Sequence, residues 1–247
     1  MTILAIDTST QWCSVALVNA KGVSAHGGEA PFSLVRHENL GPESSQYALD
    51  WVEALLDEAK LDFRDLEAIA VGIGPGAFTG IRIGVGIGQG MALGGDLPCV
   101  PIVCLDAVAL EGICSLQIPL GVHLLVAVDA RMNEVYWANY EVAENGLPVR
   151  LGDIYLSAPE NIEVPSTDFY LLGNAVTAYP DNMTRFTALA IDIDAEVVPH
   201  ARSIAVLGLD ALQKGLQVGA MDLQPIYIRD KVAQTIAERA AMSPSQE

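Results

Sequence analysis

The sequence predicts an α/β protein of two related halves, each a mixed five-stranded sheet with flanking helices. The first half reads as three strands, a helix, and then strands and helices in alternation. A second run of the same kind begins after residue 121, and both halves open with an apolar strand that ends at an aspartate, Asp7 or Asp129. Such an order is typical of a central sheet covered by helices.

In the first half, apolar runs bounded by turn residues predict five strands. They cover residues 2–7, 12–18, 23–28, 68–72 and 99–103, and residues 30–42 are predicted to be irregular. Apolar residues recur at helical spacing from Tyr47 to Ala59, so the first helix should cover about 44–60. Ser44 or Ser45 is its predicted cap. Two further helices should end near residues 93 and 115.

The second half repeats the opening of the first. Strands are predicted at residues 123–129 and 135–141, followed by a turn at 144–146 and a third strand to about 155. A strand, an acid and a hairpin at the start of both halves are what a duplicated ribonuclease-H-like unit shows, as in the actin, Hsp70 and sugar-kinase fold. We therefore expect an N-terminal lobe over 1–116, completed by 217–247, and a C-terminal lobe over 117–216.

Composition favours a packed protein outside membranes. With 247 residues, 51% of them hydrophobic, the chain can fill a sizeable core. The start reaches Asp7 without a basic segment, so no signal peptide is predicted. The most apolar stretch, residues 69–93, contains Arg82 and many glycines, which favours a protein interior over a lipid span.

The cysteines predict the cellular compartment, and the net charge limits the kinds of partner that the chain can bind. Four cysteines without C-x-x-C spacing predict buried, reduced thiols and a cytoplasmic protein. They are Cys13, Cys99, Cys104 and Cys114. The formal net charge of −18 opposes contact with a polyphosphate, so a partner protein should hold any nucleic acid.

The residues after the first strand are candidates for nucleotide binding. Asp7 could hold Mg²⁺ through water while Thr8, Ser9 and Thr10 donate to phosphate oxygens, and Asp129 would be the matching acid of the second half. Two simpler interpretations stay open. The hydroxyl groups could satisfy a turn, and Arg131 could neutralise Asp129.

The segment 74–84 (GPGAFTGIRIG) joins a strand to a helix through a glycine-rich loop. Backbone amides around Gly74 and Gly76 could cradle an anion there. The segment is neither a P-loop nor a Rossmann fingerprint, because no Gly-Lys-Ser/Thr follows and Gly-x-Gly-x-x-Gly does not fall at the turn.

Glycines inside the following helix form a strip at Gly80, Gly84 and Gly88. The four glycines at even positions from 84 to 90 cost about 4 kcal/mol of helix preference relative to alanine. The strip either packs on the protein's own sheet or contacts a helix of another subunit, and we favour the subunit. No histidine is paired at helical spacing with another metal ligand, and no Gly-x-Ser-x-Gly elbow is present, so neither a metal site nor a hydrolase is predicted.

Three segments, ILAIDTST (3–10), GPGAFTGIRIG (74–84) and DARMNEVY (129–136), resemble the TsaB (YeaZ) family, and PIYIR (225–229) is similar too. The resemblance spans nearly the whole chain. It implies an actin-like, two-lobed protein needed for threonylcarbamoylation of adenosine 37 in tRNAs that read codons beginning with A. The catalytic paralogue TsaD makes the transfer with TsaE and ATP, while TsaC supplies threonylcarbamoyl-adenylate.

The resemblance implies that the chain is a supporting subunit with no cofactor of its own, ATP and Mg being used by the complex. Its expected partners are TsaD in a heterodimer, TsaE and, as a further candidate, TsaC, with a homodimer when alone and tRNA bound only indirectly. The expected interface residues are Tyr47, Trp51, Gly80, Arg82, Gly84, Gly88 and Met91, and the vestigial nucleotide site is Asp7, Thr8, Ser9, Thr10, Gly74, Gly76 and Asp129. TsaD binds its metal through a His-x-x-x-His pair on its first helix, which the corresponding segment here lacks.

Two departures from the family pattern stand out. Ser44 stands where many members begin the first helix with histidine, and residues 32–42 form a longer segment than usual. Residues 169–179 occupy the place of the adenosine-binding segment without its glycine cluster, so nucleotide binding by this chain alone should be weak or absent. A stand-alone ATPase or small-molecule kinase using Asp7 and Asp129 is the alternative function.

Overall fold

In a computed structural model of the chain, residues 1–19 and 32–229 are described, with backbone only at Pro42, Ser44 and Ser45. This part contains ten strands and six α-helices. The strands are β1 (Thr2–Asp7), β2 (Trp12–Asn19), β3 (Phe32–Asn39), β4 (Ala68–Gly72), β5 (Cys99–Ile102), β6 (His123–Asp129), β7 (Val135–Val142), β8 (Pro148–Ser157), β9 (Phe169–Leu172) and β10 (Ile193–Asp194). The helices are α1 (Ala48–Ala59), α2 (Phe78–Gly95), α3 (Cys104–Leu116), α4 (Ala175–Ala178), α5 (Pro180–Thr187) and α6 (Ala201–Gln213).

The strands form two five-stranded sheets of the same design. The first has the order β3-β2-β1-β4-β5 and the second the order β10-β9-β6-β7-β8. In each sheet the opening strand pairs antiparallel with the strand that follows it in the chain. On its other side it pairs parallel with the fourth strand of that half, β4 or β9. The predicted duplication of a mixed five-stranded unit is therefore confirmed.

A strand forms in a segment that was predicted to be irregular. The predicted strand at 23–28 falls outside the described residues, but β3 pairs with the whole of β2, from Trp12 opposite Asn39 to Asn19 opposite Phe32. The segment 30–42, predicted to be irregular, thus supplies the edge strand. Phe32 and Leu34 pack against the core under α1, which gives the strand its apolar face.

The start of α1 and the exposure of one cysteine also differ from the prediction. Helix α1 begins at Ala48 after a 3-10 turn over Gly41–Gln46, and its cap residue Tyr47 makes no side-chain capping bond. The predicted cap at position 44 or 45 is therefore wrong. All four cysteines are free, but Cys114 is exposed and not buried as predicted. No helix within residues 1–19 and 32–229 has both the length and the apolar character needed to cross a membrane.

The two central helices are exchanged between the sheets. Helix α6 packs across the first sheet through Ala201, Ile204 and Ala205, although the predicted boundary at residue 216 assigned it to the second lobe. Helix α3 packs on the second sheet through Leu105 and Val108, although it was predicted in the first. The order of strands and helices along the chain is the same whether each of these helices packs on the sheet of its own half or on the other sheet. The sequence therefore did not distinguish the two arrangements.

The exchange gives a stack of alternating layers. Helices α1 and α2 cover one face of the first sheet and α6 covers the other. Helix α3 covers the inner face of the second sheet, and α4 and α5 cover its outer face. Helices α3 and α6 also contact each other, and Glu111 of α3 accepts hydrogen bonds from Arg202 and Ser203 of α6. The two lobes therefore meet through these two helices.

The last described residues return to the first lobe and then reach the second. Val218 forms a bridge with Cys99 beside β5, and Leu223 is buried under α2. The Ile226 amide donates to the Ile73 carbonyl at 3.0 Å. Arg229 then donates to the Ala130 carbonyl at 3.0 Å, after β6 of the second sheet. The segment 217–229 therefore links the two lobes.

Candidate functional site

The first strand ends at Asp7, whose side chain is completely buried. Its carboxylate accepts hydrogen bonds from the Ser9 amide at 3.1 Å, the Ser9 hydroxyl at 2.9 Å and the Cys104 thiol at 3.4 Å. Gly72 leaves the space for this carboxylate, because a Cβ atom there would overlap it. Burial raises the pKa of Asp7 to about 6, although the three hydrogen bonds act in the opposite direction.

The hydroxyl groups after Asp7 bond within the protein. Thr8 Oγ1 donates to the Gly80 carbonyl at 2.7 Å, and Thr10 Oγ1 accepts from the Trp12 amide at 3.1 Å. With the Ser9 bonds to Asp7, these contacts agree with the simpler interpretation, in which the hydroxyl groups satisfy a turn. The bond from Thr8 reaches further, to the first turn of α2.

The glycine-rich loop folds closely over this turn. A Cβ atom at Gly76 would come within 2.5 Å of the Ser9 carbonyl oxygen. Gly74 has φ +103°, a conformation that favours glycine, and its amide donates to the Cys104 sulfur at 3.1 Å. The Ala77 amide donates to the Ser9 carbonyl at 2.7 Å. Two amides of the predicted anion cradle therefore already have acceptors inside the chain.

In the second lobe, Asp129 ends β6 and is also bonded internally. Its carboxylate accepts from the Arg131 amide at 2.8 Å and the Tyr179 hydroxyl at 2.7 Å, and it lies 3.3 Å from the Arg131 guanidinium. Burial, helped by the hydrogen bond to Asp129, raises the pKa of Tyr179 to about 12. The contact between Asp129 and Arg131 is the one named as the simpler interpretation of this motif. Tyr179 was missed as a partner because it lies fifty positions away in the chain.

A cavity of about 620 Å³ lies between the lobes. Four of the seven predicted nucleotide-site residues line it, namely Ser9, Thr10, Gly76 and Asp129, as does Gly80 of the predicted interface. Asp7 and Thr8 are buried and are not part of the lining. Within residues 1–19 and 32–229, no three His, Cys, Asp or Glu side chains are grouped so that they could hold a metal ion. Of the two predicted metal-nucleotide acids, only Asp129 therefore reaches the cavity, and both carboxylates bond within the chain.

Helix α2 carries glycines on two faces. The predicted strip, Gly80, Gly84 and Gly88, faces the protein's own first sheet. A Cβ atom at Gly84 would lie 2.7 Å from Thr8 Oγ1, and one at Gly88 would lie 2.5 Å from Val71 Cγ2. Close packing onto the sheet accounts for these three residues, which corrects the prediction that they contact another subunit.

A second strip, formed by Gly86, Gly90 and Gly94, faces outward. These residues are exposed, and apart from the helix's own backbone no described atom lies within 4 Å of the position a Cβ atom would take. Nothing in the described fold therefore requires glycine there. The spacing of the glycines did not indicate this strip, because both strips have a spacing of four. Positions 81, 83, 85 and 87 between the glycines are all apolar, so no sequence pattern separates the two faces.

The other predicted interface residues differ in exposure. Tyr47 and Arg82 are exposed, whereas Trp51 and Met91 are half-buried. The ring centroids of Tyr47 and Trp51 lie 6.2 Å apart, and Met91 packs into the cores under α1 and α2. Tyr47 and Arg82 therefore remain on the open surface of the first lobe.

Arg82 lies in an aromatic cluster that no sequence pattern predicted. Its Nε donates to the Tyr227 hydroxyl at 2.8 Å. Its guanidinium carbon lies 3.7 Å from the centre of the Phe78 ring and 5.5 Å from that of Tyr227. Tyr227 is 145 positions away in the chain, so spacing gave no signal for this contact.

The chain matches a family model described as TsaD, tRNA N6-adenosine threonylcarbamoyltransferase, over residues 38–237. It is 34% identical to the tRNA threonylcarbamoyladenosine biosynthesis protein TsaB of Escherichia coli (strain K12), over 94% of this chain and 96% of that protein. The chain belongs to the TsaB (YeaZ) family. The TsaB of Haemophilus influenzae is 30% identical over 94% of this chain and 95% of its own.

A solved structure of the same family has the same fold. YeaZ from Pseudomonas aeruginosa matches with a TM-score of 0.79 and 33% identity, over 92% of this chain and 99% of its own. The predicted TsaB (YeaZ) membership and the two-lobed, actin-like fold are thereby confirmed.

Proposed function

We propose that this chain is the non-catalytic subunit that binds and activates TsaD in threonylcarbamoylation of adenosine 37 in tRNAs reading codons that begin with A. Membership of the TsaB (YeaZ) family, whose curated relatives are named for tRNA threonylcarbamoyladenosine biosynthesis, supports a role in this modification. The outward strip on α2 is the observation that carries the subunit role.

The strip supports docking because its glycines weaken the helix without serving the described fold. Each glycine in a helix interior costs about 1 kcal/mol relative to alanine. Glycines four apart let the backbone of another helix approach closely, and the exposed Ile83 and Leu93 add apolar surface beside them. In this proposal TsaD packs on the strip, and a second copy of the chain occupies the same face when TsaD is absent.

A supporting role also agrees with the chemistry of the first helix and the cleft. Helix α1 contains no histidine, so it cannot supply the His-x-x-x-His ligands that the resemblance assigns to TsaD. Asp7 and Asp129 both bond within the chain. The chain would then use no cofactor of its own, while ATP and Mg act in the complex with TsaE, and TsaC supplies the activated group. With a net charge of −18 the chain would hold tRNA only indirectly.

The test is transfer of the threonylcarbamoyl group to tRNA by purified TsaC, TsaD and TsaE, with and without this protein. We expect product only when the chain is present, and none from the chain alone. Gly90→Leu should abolish product and pairing with TsaD, because its side chain stands where the partner backbone must lie. Gly90→Ala is the matched control and should keep most of both. Equal product with and without the chain would overturn the proposal.

A stand-alone ATPase or small-molecule kinase is the second candidate, and the cavity of about 620 Å³ between the lobes is the observation that favours it. The purified chain would then hydrolyse ATP, and Asp129→Asn, which changes an acid that lines this cavity, would lose that activity. Turnover that is absent, or unchanged by Asp129→Asn, would remove this candidate.

A further inference from the structure

Arg82 is an exposed cation that aromatic rings hold in place, in a chain with 31 acidic and 13 basic residues. Six other basic side chains form ion pairs with carboxylates. In the described ranges 1–19 and 32–229, no carboxylate pairs with Arg82, although acids are in large excess.

The surroundings of Arg82 fix the direction of its guanidinium group. Phe78 covers one face of the group, and the Tyr227 hydroxyl accepts from Nε. An arginine has five N–H donors in a planar fork. The contact with Tyr227 uses the one on Nε. Among residues 1–19 and 32–229, no acceptor is found for the donors on Nη1 and Nη2, which lie along one edge. Holding the side chain in this way lowers the entropy cost of a further contact.

Arg82 lies on the same face of α2 as the outward strip. It lies four residues before Gly86, in line with Gly90 and Gly94, and Phe78 lies four residues before it. Residues this far apart share one face of a helix. A partner element that packs along the three glycines therefore reaches the guanidinium edge at the first turn of α2.

We propose that Arg82 is the polar anchor of this face and receives a carboxylate of the partner in two parallel hydrogen bonds. The inference rests on the proposed function, since it names the chemistry by which the partner chain is recognised. Arg–carboxylate pairs of this geometry are stronger than neutral hydrogen bonds and fix orientation. Arginine and tyrosine are also enriched among the residues that dominate protein–protein binding.

A carboxylate on a protein fits this site better than a nucleic-acid phosphate. The aromatic rings of Phe78 and Tyr227 lie beside the guanidinium. Both rings and the neighbouring Ile83 are partly exposed, at 39%, 49% and 36%. Such a surface is typical of the centre of a protein interface. The net charge of −18 opposes the approach of a polyanion, whereas a single partner acid is attracted by Arg82 itself.

The test compares the affinity of purified TsaD for the full chain and for Arg82→Gln, by calorimetry at low and high salt. We expect Arg82→Gln to weaken binding about tenfold or more, because the partner's carboxylate is left unpaired at the interface. The salt dependence should also become flatter. Arg82→Lys should fall between the two, since lysine cannot form the planar fork.

Two further variants separate this role from general damage. Lys214→Gln removes the same charge from the residue after α6, on the opposite face of the first sheet, and should leave binding unchanged. Tyr227→Phe keeps the ring but removes the Nε acceptor, so it should weaken binding less than Arg82→Gln. Combined with Arg82→Gln it should cause almost no additional loss, because both changes act on one contact.

The outcomes are distinguishable. If the original chain does not bind TsaD at all, the proposed function fails and this inference fails with it. If TsaD binds the original chain and Arg82→Gln equally, with the same salt dependence, the carboxylate contact is overturned while the subunit role stands. If Arg82→Gln loses affinity for tRNA and keeps its affinity for TsaD, Arg82 serves a phosphate and the inference is wrong.

Discussion

Replacing the outward glycines of α2 by alanine should make the isolated chain more stable. Gly86 and Gly90 are exposed, with open space at the position of a Cβ atom. Each change removes about 1 kcal/mol of unfavourable helix propensity, so Gly86→Ala with Gly90→Ala should raise the free energy of unfolding by about 2 kcal/mol. For a chain of this size that corresponds to roughly 4–8 °C in Tm.

Gly84→Ala is the matched control on the inner face. Its Cβ atom would lie 2.7 Å from Thr8 Oγ1, which already donates to the Gly80 carbonyl. The turn after β1 would have to shift, so the same change of residue type should lower stability. Gly84→Leu is accordingly expected to damage the fold and not only the pairing.

The assay is urea unfolding followed by circular dichroism, at concentrations where gel filtration gives a monomer. Stabilisation by the outer pair together with destabilisation by Gly84→Ala is the expected pattern. Equal effects of inner and outer replacements would refute the assignment of the two faces. Loss of stability in the outer pair would refute the claim that nothing in the fold needs those glycines.

Two other substitutions test the side chains of His37 and Tyr179. Burial and the nearby His200 lower the pKa of His37 to about 4, although Glu111 acts in the opposite direction. Between about pH 6.5 and about pH 4, the unfolded chain therefore binds a proton at His37 that the folded chain does not. The free energy of unfolding should fall as the pH drops through this range. The pKa of Asp7 is raised to about 6, so protonation of Asp7 has the opposite effect on stability over much of this range. His37→Gln must therefore be compared with the original chain at about pH 7 and about pH 5. The variant should lose less stability on acidification, and an identical loss would contradict the assignment. Tyr179→Phe removes the 2.7 Å hydrogen bond to Asp129 and should cost about 1 kcal/mol in urea unfolding. Tyr155→Phe is its control, since no hydrogen-bond partner is found for that hydroxyl among the described residues; equal losses would show that the bond is not the cause.

Much of the fold could be predicted because local patterns set it. The strands that end at Asp7 and Asp129 have similar sequences, which indicated a duplicated sheet. Both sheets are mixed and five-stranded, as predicted. The edge strand Phe32–Asn39 was missed because its side chains are only partly buried, which left a weak apolar pattern. Edge strands depend on the partner strand more than on their own sequence.

The site was harder to predict because its contacts join distant parts of the chain. The sequence placed Asp7 and Asp129 at strand ends but did not give the side-chain partners Cys104 and Tyr179. It also could not orient α2, since the glycines at 84, 86, 88 and 90 alternate between the buried and exposed faces. Such assignments require knowing which helix face meets the sheet.

The exchanged helices make each lobe dependent on the other for its core. Removing residues 117–229 would take away α6 and leave Ile3, Ala5 and Ala70 of the first sheet without cover. Removing residues 1–116 would take away α3 and expose Leu124 and Tyr140 of the second. Neither half is thus a self-sufficient folding unit. If the cavity between the lobes opens, α3 must move with the second sheet and α6 must stay with the first.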